Sequence, residues 1–201
     1  GNDGTINGAT WSDDVPTVTN PNLIITEIMD DPSMVSDING EWFEIYNFSE
    51  NAIDLQNYYF KDSENDSFLV SSSLVIQAFG YIVFGCNSES NGGYSPDYTY
   101  DRTDFKLDNT SDEISIYDDQ GSQHDFVEFS NTTFPAQSGY SKELTGLFYN
   151  NNNGANWSLS SSVFGLGDFG TPGTENSTNT STITISPDTI NFGQVDTTVT
   201  S

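Results

Sequence analysis

The sequence predicts an all-β protein, a sandwich or a barrel of short strands. Apolar and polar residues alternate with the period of two that a half-buried strand requires, and such runs recur about every ten residues. The chain also contains 14 Phe, 10 Tyr and 3 Trp, side chains that β-sheets favour. No segment has the apolar stripe of an amphipathic helix. These observations favour a β-rich core.

The strands follow from the runs in chain order. Residues 41–47 alternate most clearly, so we expect Phe43 and Ile45 to face inward. Gly121 closes a four-residue loop between two alternating runs, which predicts a hairpin. The complete set of predicted strands is 23–29, 41–47, 53–60, 68–70, 74–77, 81–84, 113–117 and 124–129.

Composition divides the chain into four parts. Residues 1–21 are polar, acidic and poor in apolar side chains, which indicates a linker or leader. Residues 22–176 carry the predicted strands. Residues 177–182 are Ser, Thr and Asn, a second linker, and the alternation in 183–201 predicts the truncated start of a second β-module. The sequence starts at Gly1 with no signal peptide, so we expect a fragment of a larger protein.

Charge excludes several function classes. There are 30 Asp and Glu against 4 Lys and Arg, a formal net charge of −26. Such a surface repels phosphate, so we expect no direct nucleic-acid binding and no attraction to anionic membranes. No apolar run has the length of a transmembrane helix, so no membrane insertion is expected in this fragment. The single cysteine, Cys86, permits no intramolecular disulfide.

Few residues could support catalysis. His124 lies in an alternating run without a nucleophile pattern nearby, and Cys86 has no basic neighbour that would lower its pKa. Glu27 and Glu44 are on strands that could be neighbours. A hydrolase using them requires a water-lined cleft with raised pKa values, and finding them bonded to backbone amides would exclude it. We therefore predict no catalytic residues and no enzyme.

Calcium is the one cofactor that the sequence indicates. Ca²⁺ takes six to eight oxygen ligands, and the loop after the first predicted strand offers Asp30, Asp31, Asp37 and Asn39. A second acidic loop, 62–66, is the alternative, but Ser67 follows where an EF-hand loop requires Gly. Both loops are also compatible with a simple solvated acidic surface.

Three tyrosines in the long polar loop are candidates for contact with a partner. Tyr94, Tyr98 and Tyr100 are closely spaced, and flat Tyr rings stack on sugars or pack in protein interfaces. The alternative, which we favour, is that they fold back and cover the sandwich.

An ordered series of motifs identifies a resemblance. Its parts are Leu23 to Met29, Gly40 to Asn47, Ile53-Asp54-Leu55, Gly80 to Phe84, Ser111 to Asp118 and Gly170-Thr171-Pro172-Gly173. From about residue 22 to 176 the chain resembles the lamin tail domain family in its bacterial form. The resemblance implies an immunoglobulin-like β-sandwich without catalytic residues, with Glu27, Trp42, Glu44, Asn47, Leu55 and Gly80 as fold markers. The tail after Ile183 resembles the opening of bacterial immunoglobulin-like repeats.

The resemblance also implies a function. Bacterial members are accessory modules on large secreted or surface proteins. We therefore expect a non-catalytic interaction or spacer module of a larger secreted or cell-surface bacterial protein, contacting a protein, a glycan or other modules of the same polypeptide. The alternative is an accessory domain of an extracellular enzyme, a nuclease or other hydrolase, with a calcium-stiffened loop.

Overall fold

The structure, a computed structural model, describes residues 22–63, 66–88 and 91–178, and a short pair of strands, Thr5–Ile6 (β1) with Ala9–Thr10 (β2). The predicted second module at 183–201 and most of the predicted leader lie outside the described residues. The other strands are β3 Leu23–Met29, β4 Trp42–Asn47, β5 Ile53–Asp54, β6 Tyr59–Lys61, β7 Ser67–Leu69, β8 Val75–Ile76, β9 Tyr81–Gly85, β10 Tyr98–Thr99, β11 Ser111–Tyr117, β12 Gln123–Ser130, β13 Lys142–Leu144, β14 Trp157–Leu159, β15 Val163–Phe164 and β16 Asp168–Phe169. Two 3-10 turns are η1 Asp37–Asn39 and η2 Gly154–Asn156.

Two sheets face each other. One has six strands in the order β10-β9-β4-β3-β13-β14, and the other has four in the order β12-β11-β6-β7. Neighbouring strands are antiparallel except β10 and β9, which are parallel. The predicted all-β class and sandwich architecture are confirmed. None of the helices in the described ranges is long and apolar enough to cross a membrane.

Aromatic rings fill the space between the sheets. Phe43 on β4 stacks on Phe84 of the neighbouring strand at 5.1 Å and meets Phe60 of the opposite sheet at 5.6 Å. Phe43 and Ile45 are both fully buried, as their alternation predicts. Each of these rings removes a large apolar area from water, so the core is substantial for a chain with this many charges.

One predicted strand is wrong, and several short strands were not predicted. The run 53–60 is divided into β5 and β6 by a turn at Asn57, whose φ is +67°. β5 pairs with β8, whereas β6 belongs to the four-stranded sheet. The strands β10 and β13 to β16 were not predicted, because each is only two or three residues long, and in β13 the charged Lys142 and Glu143 are buried.

A polar contact joins the two sheets at a bulge. The pairing of β3 with β4 shifts register between Ile25 and Glu27. The Ile25 N–H donates to Asp125 of the opposite sheet at 2.6 Å, and Asn151 donates to both the Ile25 carbonyl and Asp125. Desolvation raises the pKa of Asp125 to about 6. The Asp125 carboxyl therefore accepts the hydrogen bond of the Ile25 N–H, a group that the bulge leaves without a partner in the pairing of β3 with β4.

The last described residues cover the outer face of the six-stranded sheet. We call residues 168–178 the C-terminal strap. Asp168 holds its start, accepting hydrogen bonds from Ser33 and Met34. Near its end, the buried Asn176 amide donates to the Thr26 carbonyl at 2.9 Å and the Leu144 carbonyl at 3.0 Å. The strap therefore keeps both faces of β3 out of solvent.

Candidate interaction site

Exposed aromatic rings gather at the end of the sandwich where β3 begins. Phe148, Phe79 and Tyr149 are 82%, 56% and 53% exposed. Phe148 lies 5.7 Å from Phe48, which meets Tyr46 at 5.0 Å, and Tyr46 lies 4.8 Å from Tyr81. We call Phe48, Phe79, Phe148 and Tyr149, with Tyr46 and Tyr81 beneath them, the aromatic patch.

Local hydrogen bonds hold the patch in place. The Phe48 N–H donates to the Asn22 carbonyl at 2.7 Å. The buried Asn47 amide donates to the carbonyls of Asn51 and Gln77, which ties the Phe48 turn to the turn containing Phe79. Phe79 has φ +54°, a conformation uncommon for a bulky residue. The patch therefore rests on defined turns, and its rings are presented outward.

The chain as a whole is strongly anionic, with a formal net charge of −26. The chain has only four Lys and Arg residues. Three lie against a carboxylate, in the pairs Arg102 with Glu41, Lys106 with Asp108 and Lys142 with Asp30. Lys61 lies over the Tyr117 ring at 4.7 Å. The cations are thus engaged within the chain, and the field outside it comes from the acids.

The structure places Glu27 of β3 directly beside Glu44 of β4, the two carboxyls that the sequence analysis considered on neighbouring strands. Glu143 of β13 pairs with Glu27 on the other side, so the three carboxyls form a row. All three are fully buried beneath the strap. The Thr171 N–H donates to Glu27 at 2.8 Å and the Gly173 N–H to Glu44 at 2.7 Å. We call these three residues the glutamate row.

Burial governs the chemistry of the glutamate row. Desolvation, and then the neighbouring Glu143, raise the pKa of Glu27 to about 8. Desolvation, and then Glu27, raise the pKa of Glu44 well above its ordinary value. The raised values match what a hydrolase would need, but the carboxyls are buried and bonded to backbone amides. The Glu27 and Glu44 carboxyls thus bind the strap, an arrangement that counts against a hydrolase using this pair.

The other reactive side chains are engaged structurally. His124 lies 3.2 Å from the Asp118 carboxylate and against the Tyr58 ring, beside the hairpin of β11 and β12. The Cys86 thiol donates to the Asp37 carbonyl at 3.2 Å, and burial raises its pKa to about 11. A thiol with a raised pKa is a poor nucleophile at neutral pH.

The four predicted calcium ligands have separate partners. Asp30 contacts Lys142, Asp31 accepts from Ser138, Asp37 accepts from Asn109 and Asn39 accepts from Asn87. Within the described residues no group of three or more His, Cys, Asp or Glu could hold a metal ion. The calcium site at Asp30, Asp31, Asp37 and Asn39 therefore stays a prediction.

The three loop tyrosines lie against the sandwich. Tyr100 is only 2% exposed and stacks on Phe68 at 5.2 Å, which places it out of a partner's reach. Tyr98 stacks on the same ring at 5.6 Å and donates to the Leu69 carbonyl. Tyr94 lies over Gly173 of the strap, where an added Cβ would come 2.3 Å from its hydroxyl oxygen. A partner contact stays a prediction for the half-buried Tyr94 and Tyr98.

Sequence reasoning missed the aromatic patch and Glu143. Phe148 and Tyr149 precede an Asn-rich run in an irregular segment, so no periodicity marks them. Their residue type was a usable signal. Two adjacent aromatic residues in an otherwise polar, irregular segment are not expected in the core, so they indicate an exposed contact surface. Glu143 carries no such signal, because nothing in its neighbourhood indicates a buried strand.

Comparison with known proteins assigns the family. The sequence model described as the Lamin Tail Domain matches residues 16–131, more than half of the 201 residues. No curated protein matches the chain. β13 and the strap lie beyond the matched residues, although β13 pairs with β3 in the same sheet. The chain therefore belongs to the lamin tail domain family, a non-catalytic, immunoglobulin-like β-sandwich module.

Proposed function

We propose that the chain is a non-catalytic interaction module of a larger secreted or cell-surface bacterial protein, and that the aromatic patch binds a partner protein. The observation that carries the proposal is the exposure of Phe148, which leaves 82% of its surface in water although its ring contacts Phe48. A cluster of exposed aromatic rings with a polar rim is typical of the centre of a protein interface.

Ring geometry favours a protein over a glycan. Sugars stack on flat faces, whereas successive rings of the patch are tilted by 44° and 88°. Rings tilted against one another present edges as well as faces, and aliphatic or aromatic side chains pack against such a surface and exclude water. A glycan partner is the other outcome of the test below.

Charge indicates the chemistry of the partner. At a net charge of −26, the chain repels a second copy of itself and attracts a cationic surface. The proposed partner therefore presents Lys and Arg around an apolar anchor. Its binding weakens as salt rises, because salt screens the long-range attraction.

Binding to cells tests the proposal. The probe is the fluorescently labelled chain, added to intact cells of the organism that produces it, after protease treatment, periodate treatment or neither. We expect protease to abolish binding, periodate to leave it intact, and Phe148→Ala to weaken it about tenfold or more. Leu69→Ala, a matched loss of an exposed apolar side chain on β7, should bind as the wild type does.

The outcomes separate the alternatives. Loss of binding after periodate alone assigns a glycan partner. Equal binding by Phe148→Ala and the wild type removes the aromatic patch from the proposal. Labelling of unpermeabilised cells by an antibody against the chain tests the surface location, and labelling only after permeabilisation would contradict it.

A further inference from the structure

A lysine and an aspartate meet inside the sandwich at the ends of two neighbouring strands. Lys142 of β13 pairs with Ile28 of β3, and Asp30 follows two residues later, so both side chains point toward the same face of the sheet. Lys142 Nζ contacts Asp30 Oδ1, and each side chain is 2% exposed. The pair lies in the interior.

The pair is incompletely satisfied. Asp30 Oδ2 is buried and has no hydrogen-bond partner. The Phe129 ring of the opposite sheet lies 5.4 Å from Lys142 Nζ and shields it from water. Burying two charges costs several kcal/mol per ion unless all their hydrogen bonds are made. Transfer of a proton from the ammonium to the carboxylate leaves a neutral amine beside a carboxylic acid, and burial also raises the pKa of Asp30.

We propose that Lys142 and Asp30 condense to form an intramolecular isopeptide bond that covalently joins β13 to β3. An amine and a carboxylic acid held in contact react as an intramolecular pair, for which effective molarities reach about 10⁵–10⁸ M. The product is a neutral amide. It removes the buried charges and also the carboxyl oxygen that has no partner.

The reaction balances without any further reactant. The lone pair of neutral Lys142 Nζ attacks Asp30 Cγ, and a C–N bond forms. The Cγ–OH bond breaks, and the departing hydroxyl takes a proton from the nitrogen to leave as water. No atom is oxidised or reduced. The net change is the loss of one water molecule from the chain.

A cavity beside the pair can take the water. It has a volume of about 150 Å³, and Asp30 and Lys142 form part of its wall. Asp31, Gln137 and Ser138 contribute polar groups to the same wall. A polar cavity of this size has room for the one water molecule that the condensation releases.

Mass spectrometry of the denatured whole chain tests the proposal directly. We expect an intact mass lower than the sequence mass by one water molecule. Trypsin cleaves after Lys61, Arg102, Lys106 and Lys142, but an acylated lysine resists cleavage. The expected digest contains one cross-linked species in which residues 1–61 are joined to residues 107–201. An unmodified intact mass, or free peptides 1–61 and 107–142, would overturn the proposal.

Two variants locate the bond. Lys142→Arg keeps a cation that can pair with Asp30 but cannot form this amide, so its mass should equal its sequence mass. Lys106→Arg, a change in the exposed pair with Asp108, should still show the loss of water. If Lys142→Arg also lost water, the bond would lie elsewhere. The wild-type mass decides the question even if Lys142→Arg fails to fold.

Discussion

Thr171 shows how tightly protonation and structure are connected at a single residue. Its hydroxyl oxygen lies 2.9 Å from both Glu27 Oε2 and Glu143 Oε1. A hydroxyl has one proton to donate, so it satisfies only one of the two carboxyls in this way. The second contact is a full hydrogen bond if the other carboxyl is protonated and donates to Thr171. The raised pKa of Glu27 agrees with this arrangement.

The first prediction concerns pH. A carboxyl whose pKa is raised on folding stabilises the native state below its unfolded pKa, and this stability is lost as pH rises through the folded pKa. For Glu27 the window runs from 4.5 to about 8, for Asp112 from 3.8 to about 7, and for Asp125 from 3.8 to about 6. We expect the free energy of unfolding to fall by a few kcal/mol between pH 5 and 8.5, at about 1.4 kcal/mol per unit of pKa shift.

Urea unfolding followed by Trp fluorescence checks this dependence. Glu27→Gln imitates the protonated acid, so it should flatten the profile and exceed the wild type in stability at pH 8. Glu128→Gln, on the exposed face of β12, should leave the profile unchanged. Stability that rises across this window would contradict the prediction. The pKa values of Asp54, Asp101 and Asp118 are lowered. These three groups therefore change the free energy of unfolding only below pH 3.8, outside the range of this measurement.

The second prediction concerns Arg102. Its guanidinium donates to both oxygens of the fully buried Glu41, at 3.0 and 2.6 Å. Arg102→Ala leaves that carboxylate without its counter-charge and should cost about 2–4 kcal/mol, below the full value because the Arg102 side chain is 28% exposed. Lys106→Ala breaks an exposed pair and should cost less than about 1 kcal/mol. Urea unfolding measures both losses, and an equal loss of unfolding free energy in Arg102→Ala and Lys106→Ala would contradict the prediction that the buried pair contributes more than the exposed one.

At the scale of elements, the strap connects three strands. Its backbone and side chains contact Glu27 on β3, Glu44 on β4 and Glu143 on β13. Each contact replaces the water that a carboxyl would otherwise keep. The raised pKa values of Glu27 and Glu44 are thus a consequence of the strap lying over them.

The third prediction follows from that dependence. A chain ending at residue 167 lacks the strap, so the glutamate row regains water and the pKa values of Glu27 and Glu44 return toward the ordinary range. We expect a lower melting temperature and loss of the pH dependence between 5 and 8.5 that Glu27 and Glu44 contribute. A chain ending at residue 178 retains every strap contact and should behave as the full chain does. A pH profile that survives removal of the strap would assign the dependence to other groups.

The sequence predicted the long strands well and the short ones poorly. β4, β11 and β12 follow from alternation, and β3 and β9 follow from short, mostly apolar runs that are buried almost throughout. β13 reads Lys-Glu-Leu, and both charged side chains are buried against distant partners: Lys142 contacts Asp30, 112 residues away, and Glu143 accepts hydrogen bonds from Thr171 and Ser177, 28 and 34 residues away. Local periodicity does not contain such partners. The sequence identified Glu27 and Glu44 as a carboxyl pair and Gly170-Thr171-Pro172-Gly173 as a motif, but it did not show that this motif lies over the pair and bonds to it.

At the scale of the whole molecule, uniform negative charge should govern the response to salt. Self-repulsion destabilises a compact chain with a net charge of −26, and salt screens it. As a fourth prediction, we expect the melting temperature to rise by a few degrees between low and moderate NaCl. A melting temperature that is independent of NaCl would show that repulsion between the acids is negligible.

The fifth prediction separates calcium binding from screening. A bound ion stabilises the native state by mass action. A site at Asp30, Asp31, Asp37 and Asn39 predicts a higher melting temperature in millimolar CaCl₂ than in MgCl₂ or NaCl of equal ionic strength, after treatment with a chelator. Equal melting temperatures in the three salts would remove the site. Asp37→Asn should abolish any calcium-specific rise.

The attachment of the strap to β3 has a mechanical consequence. The described chain enters the sandwich through β3 at Leu23, and the strap leaves it bonded to the same strand through Glu27 and Thr26. Tension applied between residues 22 and 178 is therefore borne by β3 and by the bonds that join the strap to β3, β4 and β13. These bonds all lie on the six-stranded sheet, so stretching would detach the strap from that sheet before it separated the two layers.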